Sequence, residues 1–83
     1  MEDKYELYLL LKKHCTNIKF RQLCASAEVF GFLFKRSKGS HRIYAKEGVK
    51  EIINIQDVKG MAKAYQVKQL LRLVEKYTLW GDE

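Results

Sequence analysis

Between about Asp3 and His14, Tyr5, Leu7, Tyr8, Leu9, Leu10 and Leu11 form a short, very apolar stretch of helical spacing that needs a packing partner. Thr16 or Asn17 then reads as the N-cap of a second helix, in which Phe20, Leu23, Cys24 and Ala27 recur at i, i+3, i+4 and i+7. Gly31 closes it as a residue able to take positive φ. Beyond Gly31 the period drops to two. Phe32 and Phe34 alternate with Leu33 and Lys35, and Arg42 and Tyr44 alternate with Ile43 and Ala45. Ser37-Lys38-Gly39-Ser40 between these strands is a polar hairpin loop, and Lys46-Glu47-Gly48 is a second turn. A third strand is predicted from Val49 to Gln56, with Ile53 and Ile55 on one face and Lys50, Ile52 and Asn54 on the other. The mixed loop from Asp57 to Lys63 leads to a last helix over Ala64 to Thr78. Its apolar face is Val67, Leu70, Leu71 and Val74, and its polar face Lys63, Lys68, Arg72 and Lys76. Tyr65, Tyr77 and Trp80 read as core or helix-end packing.

The predicted class is α+β, with the order α-β-β-β-α behind an extra N-terminal helix. Two helices cover one face of a three-stranded antiparallel sheet and the other face stays open. The extra helix either caps the sheet's exposed edge or meets a partner. A length of 83 residues allows one domain, 1–83, because two cores would each approach the ~40-residue limit of independent folding. So small a chain has little room for a deep cavity, which moves any chemistry to an open face. No stretch reaches the ~20 apolar residues of a membrane span, and Met1-Glu2-Asp3-Lys4 is not a basic leader, so a cytoplasmic protein is expected.

Charge changes the picture more than composition does. Sixteen Lys and Arg stand against ten Asp and Glu, a net charge of +6. Lys35, Arg36, Lys38, Arg42, Lys46, Lys50, Lys59 and Lys63, against Glu47, Glu51 and Asp57, put +5 of it in the middle third. A polyanion would meet the chain there. Cys15 and Cys24 lie nine apart, with only His14 beside them, so no set of metal ligands is completed and no metal or cofactor is expected.

The densest chemistry is Lys35-Arg36-Ser37-Lys38-Gly39-Ser40-His41-Arg42-Ile43-Tyr44, four cations and an imidazole around a glycine turn. Gly39 lets the backbone approach a phosphate or take positive φ, and the Ser40 amide and hydroxyl can donate to phosphate oxygens. Imidazole, with an ordinary pKa of roughly 6.5, can exchange a proton near neutrality. RNA carries its own nucleophile in the 2′-hydroxyl, so cleavage without metal needs a proton acceptor or donor and positive charge on the developing phosphorane. His41, with Lys35, Lys38 or Arg42, offers both. The same residues also suit a solvated basic face, with His41 merely packed at the start of a strand. Tyr44 points to the strand face of Arg42, where it could stack on a base or pack in the core.

Taken together, the helix ending in Gly31-Phe32, the run Lys38-Gly39-Ser40-His41-Arg42-Ile43-Tyr44, the strand Ile52-Ile53-Asn54-Ile55 and the closing helix from Tyr65-Gln66-Val67 resemble the HicA toxins. These are small ribonucleases of bacterial and archaeal HicA–HicB toxin–antitoxin systems. The resemblance covers about Ile18 to Tyr77, so residues 18–78 form the similar core and residues 1–15 the extra helix. It implies a fold similar to the double-stranded RNA-binding domain, cleavage of messenger RNA that stops translation, and a HicB-type antitoxin that masks the RNA-facing surface. The family's catalytic histidine maps onto His41, with Gly39 and Ser40 shaping the site. Lys35, Arg36, Lys38 and Arg42 join them as RNA-binding candidates on the charge argument alone. Arg42 stands where many members carry a second histidine, so the second proton would have to go to or from water or a lysine. The loop from Asp57 to Lys63 also lacks the family's proline. Two readings of other classes use the same residues: a non-catalytic RNA-binding module on the basic face, and a protein-interaction subunit working through its apolar first helix.

Overall fold

The computed structural model describes residues 3–81. Met1 and Glu2, read above as no basic leader, and the last two residues of the expected 1–83 domain lie outside the described residues. Among those described, three helices and a three-stranded antiparallel sheet follow the order α1 (Lys4–Lys13), α2 (Phe20–Val29), β1 (Leu33–Lys38), β2 (His41–Ala45), β3 (Ile53–Gln56) and α3 (Ala64–Lys76). This is the expected α-β-β-β-α arrangement behind a leading helix.

The leading helix starts where a carboxylate can cap it: Asp3 accepts from the Tyr5 amide at 2.9 Å. Leu7, Tyr8 and Leu11 are its buried positions, and α1 packs on α3. The Tyr8 hydroxyl donates to the Glu75 carboxylate of α3, and its ring lies 4.9 Å from that of Trp80. Of the two roles expected for this helix, capping the sheet edge is therefore not the one built. Tyr5, Leu9 and Leu10 stay exposed on its outer side.

The second helix begins later than Thr16 or Asn17 predicted, with Lys19 as its N-cap. Backbone pairing holds the preceding segment extended. The Ile18 carbonyl accepts from Ala62 at 2.9 Å, the Phe20 amide donates to Gly60 at 2.9 Å, and Lys19 bridges Met61. Gly31 ends the helix as expected, at φ +100, with the Gly31 amide on the Glu28 carbonyl and the Phe32 amide on the Ala27 carbonyl. That pair of bonds satisfies two otherwise orphaned carbonyls. It also drives Phe32 into the core.

The same cap recurs at the end of α3, where Thr78 donates to Glu75, Leu79 donates to Val74, and the left-handed position is a threonine at φ +51. A β-branched residue there is strained by roughly 1 kcal/mol or more. Thr78→Gly should raise the melting temperature by a few degrees in scanning calorimetry, and a lower value would show that the threonine makes contacts outweighing its strain.

Within the sheet, β2 is central and β1 and β3 are edges. Tyr44, Ile53 and Ile55 face the helices and pack with Phe30, Phe32, Leu23, Ala27, Val67, Leu70 and Val74 in a core that also takes in Leu7, Tyr8 and Leu11. Tyr44 is 0 % exposed, which settles its two sequence readings in favour of the core. Tyr65, expected to pack, is 62 % exposed, whereas Tyr77 and Trp80 do pack against the core.

The last helix ends at Lys76 rather than Thr78, and within the sheet two boundaries also differ from expectation. The loop between β1 and β2 is only Gly39-Ser40, because Ser37 and Lys38 pair with Arg42 and His41. The third strand starts at Ile53 rather than Val49, because the chain before it is drawn toward the end of α3. There the Glu51 carboxylate accepts from Lys76 Nζ and from the Tyr77 hydroxyl, each at 2.7 Å, and these donors hold its carboxyl down at about 2.

Candidate nucleic-acid interface

Cross-strand pairing decides which of the charged residues can act together. Lys38 pairs with His41 and His41 with Gln56, while Arg36 pairs with Ile43 and Ile43 with Asn54. Directly opposed residues share a face, so these side chains lie together on the side away from the helices. Arg36, Lys38, Gly39, Ser40, His41, Ile43 and Asn54 line a groove of about 630 Å³ on that face, space on the scale of a small-ligand site.

The turn at one end of the groove is held firmly. Gly39 takes φ +59 at the first of its two central positions, the pattern of a type II′ hairpin turn. A Cβ there would meet nothing within 4 Å, so glycine is required for its backbone angle rather than for space. The Ser40 carbonyl accepts from the Asp57 amide at 2.9 Å, and the Gln56 amide donates to Gln66 of α3 at 2.9 Å. Both tie the turn to the end of β3 and thence to the core.

His41 opens β2 directly after this turn, partly exposed, with Nδ1 at 2.8 Å from Asn54 Oδ1. Arg36 and Lys38 are exposed and form no ion pair among the described residues, so their charge is available to an anion. The groove thus combines an imidazole, two cations and the amide and hydroxyl of a glycine turn.

Arg42 and Lys35 do not join it. Alternation along β2 sends Arg42 to the opposite face, where its Nε donates to the Tyr44 hydroxyl at 3.2 Å and its guanidinium lies 4.2 Å from the centre of the Phe34 ring. It lines a separate depression with Phe20, Arg21, Cys24 and Glu28. Grouping Arg42 with His41 by charge is corrected by the pleat. Lys35 sits at the irregularity between Phe34 and Arg36, the one residue of β1 left out of the register, exposed but beside the groove rather than in it.

Asn54 was missed as a site residue. Its place on the open face was legible from the alternation of β3, but its contact with His41 depends on the β2–β3 register, which no local pattern announces. Among the described residues no group of three or more His, Cys, Asp or Glu assembles into a metal set, and no helix is long and apolar enough to cross a membrane. A second depression, between α1 and α3, is lined by Lys12, Cys15, Lys68, Arg72 and Glu75 and contains no imidazole.

Compared with protein-family models, curated proteins and solved structures, the chain matches none.

Proposed function

We propose that this chain is a metal-independent endoribonuclease of the HicA type, a cytoplasmic toxin that cuts messenger RNA and is neutralised by a HicB-type antitoxin. The observation that carries the reading is the convergence of His41, Arg36, Lys38 and the Gly39-Ser40 turn on one groove of the open sheet face. The fold would then be similar to a double-stranded RNA-binding domain, with the exposed sheet rather than the helices turned to the substrate.

In this mechanism the scissile phosphate sits against the Gly39-Ser40 turn, with Arg36 and Lys38 stabilising the charge of the phosphorane. His41 takes the proton of the 2′-hydroxyl as its oxygen attacks phosphorus. The bond from phosphorus to the 5′-oxygen breaks, and that oxygen is protonated by water or by Lys38. The products are a 2′,3′-cyclic phosphate and a 5′-hydroxyl. An acidic surface on the antitoxin would complement the same basic groove.

The test is incubation of the purified protein with a long single-stranded RNA in EDTA, read on a denaturing gel. Fragments ending in cyclic phosphate are expected, and DNA of the same sequence should survive because deoxyribose lacks the nucleophile. Cleavage of the DNA would sink the mechanism. Intact RNA with a shifted band on a native gel would favour the non-catalytic binding module instead. The salt dependence of binding supplies a second arm. Arg36→Ala should flatten the slope of log affinity against log salt by about 0.7, the loss of one phosphate contact on a single strand. Arg42→Ala, altering the far face, should leave that slope unchanged.

A further inference from the structure

Imidazole has two nitrogens with different tasks, and the sheet treats them differently. His41 Nδ1 lies 2.8 Å from the amide oxygen of Asn54. An amide oxygen only accepts, so the bond forms when Nδ1 carries the proton. In the neutral ring Nε2 then holds the lone pair, and it has no hydrogen-bond partner among the described residues.

We propose that Asn54 is a positioning residue: by accepting from Nδ1 it selects the Nδ1-protonated tautomer of His41 and presents Nε2 as the proton-accepting atom of the groove. The use of Nε2 in cleavage rests on the ribonuclease reading; the choice of tautomer does not. The contact is built by the sheet rather than by a loop. Asn54 pairs with Ile43 and His41 with Gln56, so the two side chains meet diagonally across β2 and β3 on one face. Their spacing is locked by the backbone ladder, and Ile53 and Ile55, fully buried on either side of Asn54, prevent β3 from slipping by one residue.

The identity of the acceptor matters as well. Arg36 and Lys38 line the same groove and are the charged groups that share it with His41; β3 contributes only the uncharged Asn54. A neutral carboxamide orients the ring without adding a negative charge, which would favour the imidazolium and compete with the substrate phosphate for the two cations. Asparagine therefore supplies orientation alone.

The test uses the full chain labelled with 15N, with long-range 1H–15N correlations of the imidazole recorded at a pH where His41 is neutral. The wild type should show the Nδ1–H form. Asn54→Ala should relax to the tautomer mixture of a free imidazole, and Asn54→Asp, which keeps an acceptor, should restore the Nδ1–H form. In cleavage assays Asn54→Ala should lose about 10- to 100-fold in rate, the scale set by removing the outer hydrogen-bond partner of a metal-ligating imidazole, with RNA affinity nearly unchanged. Asn54→Asp should cut RNA with its pH profile displaced upward, because a carboxylate favours the imidazolium. Asn54 is exposed, so both variants should retain the wild-type circular dichroism.

An Nε2–H tautomer in the wild type, or a tautomer indifferent to Asn54→Ala, overturns the inference even if RNA is cut. An Nδ1–H wild type that binds RNA without cutting it overturns the ribonuclease reading and the catalytic use of Nε2, and leaves the tautomer assignment standing.

Discussion

On the proposed mechanism, His41→Ala should lose RNA cleavage by about 10²- to 10⁴-fold, the contribution of one positioned acid–base group, while keeping most of its affinity for RNA. The split between rate and binding follows from the groove. Arg36 and Lys38, which line the groove beside His41 and would hold the phosphates by charge, are untouched by the substitution, whereas the proton of the 2′-hydroxyl would lose its acceptor. The side chain is partly exposed at the mouth of a two-residue turn, so its removal opens no internal cavity and the fold should survive. Single-turnover rates on an end-labelled RNA, beside binding measured by anisotropy, separate the two quantities. A variant cutting at the wild-type rate would transfer the proton to some other group. A variant losing affinity in proportion to rate would make His41 a binding residue.

Phe32→Ala should be the most destabilising of the simple truncations, costing about 3–5 kcal/mol, as expected for a buried phenylalanine. Phe32 is 0 % exposed and follows the glycine that ends α2, so its ring joins that helix to the sheet in one core. A domain of this size has a total stability of about 5–15 kcal/mol, and a short chain lies toward the lower end. A large part of the folded population is therefore at stake at physiological temperature. Its neighbour Leu33 is 63 % exposed, and Leu33→Ala should fall within about 0.5 kcal/mol of the wild type. Urea midpoints of the two variants test the contrast. Equal midpoints would mean that the face assignment at the start of β1 is wrong.

How far the sequence could be read depended on whether a feature was local. Val67, Leu70, Leu71 and Val74 in α3 announce a buried face by their spacing, and all four are buried. The Gly31 stop and the glycine turn at Gly39 were likewise legible, because each needs a backbone angle that glycine adopts most readily. What escaped was set by distant partners. The start of α2 is delayed because Ile18 and Phe20 pair with Ala62 and Gly60, some forty residues on. The late start of β3 reflects the hold of Lys76 and Tyr77 on Glu51. For the candidate site, His41, Arg36, Lys38, Gly39 and Ser40 converge as their charge and turn chemistry suggested. Arg42 could have been separated from His41 by strict alternation alone. The exclusion of Lys35 could not have been anticipated, since the irregularity at Phe34 and Arg36 follows from packing rather than from any local residue type.

Every residue of β1 is exposed, and β1 is an edge whose outer row of amides and carbonyls is free to pair with a strand from another molecule. Lys35, Arg36 and Lys38 along it, with the irregularity at Lys35, act against that pairing: like charges repel a second copy and the distorted edge makes a poor template. Arg36 and Lys38, the two of these cations that line the groove, would thus also help keep the molecules apart at high concentration. Stripping the charge from this strand to abolish nucleic-acid binding would leave a bare edge, and colloidal stability would fall along with affinity.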